Sequence, residues 1–287
     1  MIKRKIFFPL YKKTLEKLSG RGLRKIPGVK LAKNFAISQL KTQFAEVQGH
    51  KMFLGKKDSL RLSINGIYEE VETGIVKKEV KSGEIVLDVG ANIGYYTLIL
   101  AKLVGSQGRV YAFEPEPTNF EVLKKNIEMN GYQNVILNQS AVGIEKGRTK
   151  LYLSEIKTGM HRIYKSKYCK DHIEVDIIKL DDYLTDNNIY KNIDFVKIDV
   201  EGAELAVLEG MQETLNSNQR LKMLVEFVPE SNIEFGVKPF EVLNFLKYNR
   251  FKIYCINDEK KAANEYTNIN EILKDFPNGT NLFCVKK

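Results

Sequence analysis

Cysteine is scarce in this chain: Cys169, Cys255 and Cys284 are three in 287 residues, odd in number, far apart and without a C-x-x-C pair. That excludes a disulfide framework and offers no zinc-site spacing, so the thiols read as reduced, mostly buried and cytoplasmic. Long apolar runs are missing as well. No stretch approaches the roughly 18 residues of a spanning helix. The apolar run in "MIKRKIFFPLYKK" is broken by Pro9 and too short for a secretory core. Neither secretion nor a transmembrane anchor is expected. Internal repeats and low-complexity segments are also absent.

What is present is a composition of 43% apolar and 10% aromatic residues, enough for one large core with an appendage. The formal net charge of +9 is unevenly placed. Residues 1–50 hold twelve lysines and arginines against Glu16 and Glu46, or +10, and residues 51–287 sum to −1. The chain therefore divides into a basic N-terminal extension, 1–50, and a body, 51–287.

From about Glu84 short apolar runs alternate with amphipathic helices, the pattern of an α/β protein with a mostly parallel sheet covered on both faces. The runs are "EIVLDVG", "RVYAFEP", "NVILNQSAV", "DFVKIDV" and "KMLVEFVP", with β-branched residues and Gly, Pro or Asn flanks. Between them, "IGYYTLILAKLVG" places Ile93, Thr97, Leu100, Ala101 and Val104 on one helical face. "PTNFEVLKKNIEMNG" offers Thr118 and Glu121 as a capping box, Phe120, Leu123 and Ile127 as a buried stripe, and Gly131 as a stop. "GAELAVLEGMQETL" and "PFEVLNFLKYN" read as further helices. "FKIYCIN" and "NLFCVKK", joined by a polar connection, predict a C-terminal antiparallel strand pair. Residues 147–182 interrupt the rhythm, strand-like at both ends and basic with aromatics between; an insertion this long is functional or disordered.

The first strand runs into a glycine turn that opens a helix, the place where parallel sheets bind nucleotide-like ligands. The turn reads D-x-G-x-N-x-G, with Asp88, Gly90, Ala91, Asn92 and Gly94, and lacks the third glycine of the dinucleotide fingerprint G-x-G-x-x-G. An aspartate at the mouth of the turn would repel a diphosphate, at a cost on the order of several kcal/mol in a partly dehydrated cleft. It suits a ligand with an ammonium group. S-adenosylmethionine (SAM) carries one, together with a sulfonium and no phosphate. Glu114, at the end of the next strand, can accept hydrogen bonds from both ribose hydroxyls, which would also suit NAD. The third strand ends in Ser140, Ala141 and Val142, small enough to leave room for adenine, and the fourth ends in Asp199.

These segments resemble the FkbM-type SAM-dependent methyltransferases. "DVGANIGYYTLILAKLVG" is generic to class I methyltransferases, whereas "FEPEP" with "DVEGAE" is more specific, and the likeness spans roughly residues 65 to 250. The resemblance implies a Rossmann-like class I methyltransferase with a seven-stranded sheet, acting on hydroxyls of small molecules, polyketides, sugars or glycolipids. It implies that Asp88, Gly90, Asn92 and Gly94 line the methionine side, that Glu114 holds ribose, that Ser140 and Ala141 border adenine, and that Asp199 sits beside the reacting methyl.

An alcohol acceptor must lose a proton as its bond to carbon forms. Asp199, Glu201 and His161 are the favoured catalytic candidates, with Glu204, Glu226 and His172 behind them. Glu204 falls in a first helical turn, where an acid is stabilised by the helix dipole alone. Glu226 could pair with Asp199 around a divalent cation, but two carboxylates without a close third ligand make a weak site, and no metal is expected. Upstream, "GIYEEVETG" starts a helix over the cleft, where Tyr68, Glu69, Glu72 and Thr73 either touch ligand or solvate a lid.

The extension admits three readings: an amphipathic contact of residues 1–20 with anionic lipid, a nucleic-acid arm, or a solvated helical arm. The expected acceptor is a small molecule, a glycan or a lipid-linked group, and the expected location is cytoplasmic, with peripheral membrane contact left open. A nucleic-acid methyltransferase is disfavoured because "DVEG" stands where an N-P-P-[FY] motif would, and no Pro-Cys nucleophile occurs. An NAD-dependent oxidoreductase is disfavoured by Asp88 and the missing glycine. A non-catalytic cofactor-binding module remains a further alternative.

Overall fold

The computed structural model describes residues 43–55, 58, 60–154, 159–167 and 169–286. The proposed lipid contact of residues 1–20 lies outside the described residues. The chain divides into two compact units, 1–68 and 69–287.

In the first unit, β1 (Phe44–Val47) pairs antiparallel with β2 (His50–Phe53). Their two-residue loop, Gln48 and Gly49, has φ of 53° and 80°, the left-handed geometry whose twist matches a tight hairpin. The charge break near residue 50 falls inside this hairpin, so it marks a change of composition and not a gap between folded units. The short helix α1 (Leu62–Asn65) is held by Asp58, whose carboxylate accepts the Leu62 and Ser63 N–H groups.

The second unit begins with α2 (Glu70–Glu79) and alternates as expected through β3 (Ile85–Val89), α3 (Tyr95–Val104), β4 (Arg109–Phe113), α4 (Pro117–Met129) and β5 (Val135–Asn138). A side sheet of β6 (Ala141–Gly143), β7 (Gly147–Ser154) and β8 (Cys169–Lys179) follows, then α5 (Leu180–Asp186) and β9 (Phe195–Ile198). Next come α6 (Glu204–Glu209), α7 (Gln212–Ser217), β10 (Lys222–Phe227), α8 (Pro229–Phe235) and α9 (Pro239–Tyr248). The chain ends with β11 (Phe251–Asn257), β12 (Ala262–Tyr266), α10 (Ile269–Asp275) and β13 (Thr280–Lys286).

The main sheet has the order β12-β11-β13-β10-β9-β3-β4-β5. The five strands from β10 to β5 are parallel, and β13, β11 and β12 run antiparallel. This is the expected α/β class with the expected antiparallel C-terminal pair, but with eight strands and not seven. The extra one is β12, which the polar connection after Asn257 contributes at the sheet edge. Order reverses at β3: the chain moves outward through β4 and β5, then returns to place β9 on the other side of β3. Right-handed crossovers in opposite directions put their helices on opposite faces, and the crevice at the reversal opens at the carboxyl ends of β3 and β9. Val86, Leu87 and Val89 of β3 and Phe195, Val196 and Ile198 of β9 are fully buried, as strands covered on both faces must be.

Three local expectations change. "NVILNQSAV" is two strands: β5 ends at Asn138, and β6 leaves the main sheet to pair with β8. The cap of α4 is Glu116, not Thr118; its carboxylate accepts the Asn119 N–H at 2.6 Å, and Pro117 supplies a preset first turn. The run 202–215 breaks into α6 and α7 because Gly210 packs onto the Gly143 carbonyl, where a Cβ would stand 2.1 Å from oxygen. The insertion 147–182 is strand at both ends, as expected: β7 and β8 form a hairpin whose inner residues Leu151 and Val175 pack with Ala141 in a small core of their own.

Candidate active site

The reversal brings the end of β3 against the end of β9. Gly90 has φ +85°, and a Cβ there would lie 1.8 Å from the Asp199 carbonyl oxygen, so the two turns touch backbone to backbone. The Gly90 and Ala91 N–H groups both donate to Phe113 O, and the Asn92 N–H donates to Glu114 Oε2 at 2.8 Å. Glu114 Oε1 accepts the Glu116 N–H at 3.0 Å. One buried carboxylate thus ties the β3 turn to the start of α4. Burial pushes Glu114 up to about 7, against these two hydrogen bonds.

A cleft opens there. Its wall includes Gly90, Asn92, Glu114, Ser140, Ala141 and Asp199 from the expected cofactor set, and Glu201 and His161 from the expected catalytic set. Asp88, Ala91 and Gly94 are not on that wall. Ala91 is buried, and Gly94, at φ +90°, is the residue from which α3 starts, close against Leu123. Asp88 has no solvent exposure; its Oδ2 accepts the Thr97 hydroxyl at 2.6 Å, and burial raises it. It stands beneath the turn, not at its mouth. The charge argument moves to other residues: Glu114, Asp199 and Glu201 line the cleft, and no lysine or arginine is among its described lining residues.

The β9 exit is a charged knot. Lys197, 4% exposed in the middle of an apolar strand, donates to Asp199 Oδ2 at 2.8 Å and lies 4.7 Å from the Tyr96 ring centroid. Burial alone would strip its proton, but Asp199, Asp88 and Glu69 hold it charged, above the ordinary lysine range. Glu69 accepts the Tyr96 hydroxyl at 2.8 Å, and burial lifts it to about 7 despite Lys197. Glu72 and Thr73 are 1% exposed on the inner face of α2, so neither solvates a lid; Thr73 meets the Tyr95 hydroxyl at 3.0 Å. Tyr68 belongs to the first unit.

Beyond Asp199 the chain turns sharply. Glu201 takes a left-handed φ of 58°, a strain of the kind that clusters at functional sites. Burial, with Asp199 nearby, raises Glu201 to about 7 against the pull of Arg162. Glu204 caps the same turn: its Oε1 accepts the Gly202 N–H at 2.9 Å and its Oε2 accepts from Asn232 at 3.0 Å. It is a clasp within the fold, as its place at the start of α6 suggests. Glu226, on the neighbouring strand, has its Oε2 closed off from solvent with no donor in reach. Burial, then Asp199, Glu201, Glu204 and Glu69, drives it well above the carboxylate range.

The insertion reaches into this knot. Arg162, 5% exposed, donates to Glu201 Oε2 at 3.2 Å, Glu234 Oε2 at 2.8 Å and Ser231 Oγ at 3.2 Å. Tyr164 donates to the Glu201 carbonyl at 2.8 Å. Gly159 approaches Asn92 so closely that a Cβ would lie 2.8 Å from its Nδ2. His161 faces the cleft, and its Nδ1 accepts the Ser154 N–H at 3.0 Å. A neutral imidazole in this arrangement carries its proton on Nε2, which makes that atom a donor. His172 is exposed on β8 beside Tyr152, off the cleft wall.

Residues 88–253 match the family described as the methyltransferase FkbM domain. The chain belongs to the FkbM methyltransferase family. Among similar proteins, Methyltransferase 1 of Beauveria bassiana is 30% identical over 146 residues, which span 45% of this chain and 58% of that protein. The hexuronic acid methyltransferase AglP of Haloferax volcanii is 28% identical over 68% of this chain and 70% of its own length. The 31-O-demethyl-FK506 methyltransferase FkbM of Streptomyces tacrolimicus is 25% identical over 65% and 80%. The FkbM methyltransferases use SAM, and the cleft fits it. Asn92 Oδ1 and Ser140 Oγ are buried on the wall without a protein partner, and the acidic lining suits a cationic ligand without phosphate. No described helix is long and apolar enough to cross a membrane.

Proposed function

We propose that this FkbM-family chain transfers a methyl group from SAM to a hydroxyl of a small-molecule or sugar acceptor. The observation that carries this reading is the single cleft on which Gly90, Asn92, Glu114 and Ser140 stand together with Asp199, Glu201 and His161. In this reading Glu114 receives the ribose hydroxyls, Asn92 and Ser140 meet polar atoms of the donor, and Ala141 borders adenine. The sulfonium of SAM supplies an activated methyl group. The protein holds the acceptor oxygen in line with it, and such positioning is worth about 7–11 kcal/mol of barrier. Asp199 and Glu201, at the far side of the cleft, take the acceptor proton, and His161 donates from Nε2 to the acceptor.

AglP acts on a hexuronic acid and the Streptomyces enzyme on a demethylated FK506. Hydroxyls on oxygen-rich small molecules are therefore the first acceptors to try. The test is incubation of the purified protein with methyl-labelled SAM and separate sugar, uronic acid, polyketide, lipid and RNA fractions, followed by mass spectrometry. Label as a methyl ether in a sugar or small-molecule fraction supports the proposal. Label confined to RNA, or none while SAM binds, contradicts it.

A further inference from the structure

From the placement of Asp199, Glu201 and Glu226, we infer that the carboxyl ends of β9 and β10 form a binding site for one divalent cation of the oxygen-loving kind, Mg²⁺ or Mn²⁺.

The three residues can each offer a carboxylate oxygen with all three oxygens within 4.8 Å of one another, a spacing that one hard cation can span. Two carboxylates were visible in the sequence as strand ends. The third ligand is Glu201, which the left-handed turn at φ 58° swings back beside them. The neighbouring protein cations do not satisfy the group. Lys197 is committed to Asp199 Oδ2, and Arg162 to Glu201 Oε2 and Glu234. One oxygen of Asp199 and one of Glu201 are left over.

Glu226 is the independent sign. Its Oε2 is closed off from solvent and has no hydrogen-bond partner, while the residue as a whole is half-buried. A carboxylate in such a place is costly unless a proton or a cation meets it. It is aimed at two more acids and at no base.

Asp199 and Glu201 lie on the cleft wall, so a cation there would stand beside the acceptor. This part rests on the methyl-transfer proposal. With the cation bound, Asp199 and Glu201 would hold it and no longer take the acceptor proton themselves. A hydroxyl on the cation would be acidified, its O–H bond breaking with the proton passing to water as the oxygen bonds the methyl carbon and the C–S pair returns to sulfur. The cation is not consumed.

The experiment is Mn²⁺ binding to the EDTA-treated full-length protein, read by loss of the free-ion electron paramagnetic resonance signal, without SAM or acceptor. One saturable site in the micromolar range is expected, competed by Mg²⁺. Glu226→Gln, which keeps the shape, should weaken it at least tenfold while circular dichroism and SAM calorimetry stay as in the parent; His172→Ala should not change it. Absence of saturable binding below 1 mM, or equal binding by Glu226→Gln, overturns the site and shows that Glu226 is met by a proton. SAM calorimetry on the metal-free protein reports on the methyl-transfer reading separately, so the two can fail independently.

Discussion

Gly90 and Asp199 meet without any side chain between them: a Cβ on Gly90 would stand 1.8 Å from the Asp199 carbonyl oxygen. The contact locks the β3 turn to the end of β9. Gly90→Ala must push the two turns apart and also occupy φ +85°, so it is expected to destabilise by about 2–4 kcal/mol. Thermal denaturation checks this, and SAM calorimetry should show donor affinity lost as well. Unchanged melting and affinity would mean that the turns are not in contact.

Glu69, Glu114, Glu201 and Glu204 all sit near 7 through burial. For an acid whose folded pKa lies above its unfolded one, the folded state holds the extra proton between the two values. Stability is then greatest below about 4.5 and is lost as pH rises through 7. The donor-free protein is expected to melt at lower temperature at pH 8 than at pH 5.5, with a flatter slope in Glu114→Gln. Since the donor is cationic and Glu114 accepts its hydroxyls in the proposed pose, SAM affinity should climb over the same interval. A pH-independent affinity would remove Glu114 from the donor site.

Arg162 fastens the insertion to the Glu201 turn. Arg162→Ala leaves Glu201 and Glu234 without their buried cation and frees the insertion from Ser231. Turnover is expected to fall by about 10²-fold through misplacement of the acceptor side. Donor affinity should change little, because Glu201, Ser231 and Glu234 are not the residues given to the donor in the proposed pose. Faster proteolysis within 159–167 would accompany it. Equal losses of donor affinity and turnover would contradict this division.

Lys197 is the counter-charge for Asp199, Asp88 and Glu69. Lys197→Met removes the counter-charge of buried Asp88 and of half-buried Asp199 and Glu69, and should cost on the order of 3–5 kcal/mol. In whatever fraction folds, Asp199 loses the donor that fixes its Oδ2, so turnover should fall. A lower melting temperature with unchanged turnover would limit Lys197 to a structural role.

Much of this was legible before the structure. The strand-turn-helix at 85–104 announced itself because apolar strand, glycines and helical stripe follow one another without interruption. Glu114 and Asp199 followed as strand ends. Asp88 misled because a carboxylate just before a glycine turn looks exposed in sequence, whereas pleat alternation turns it under the turn toward Thr97. Ser140 and Ala141 reached the cleft by another route, from a strand that leaves the sheet. Lys197 carried a signal that went unused: a lone lysine inside "FVKI", buried on both faces, must find an acid. Arg162 carried none, since its acidic partners Glu201 and Glu234 are 39 and 72 residues away. The position of Glu201 depended on one backbone angle, which side-chain spacing does not encode.

The acidic lining of the cleft is expected to select SAM over a phosphate-bearing cofactor. Isothermal calorimetry of the purified protein with SAM, its demethylated product and NAD tests it most directly. One molecule of SAM or of its product per chain, no heat with NAD, and at least tenfold weaker SAM binding by Glu114→Gln are the expected results. Binding of NAD in preference to SAM, or no SAM binding by a folded protein, would contradict it.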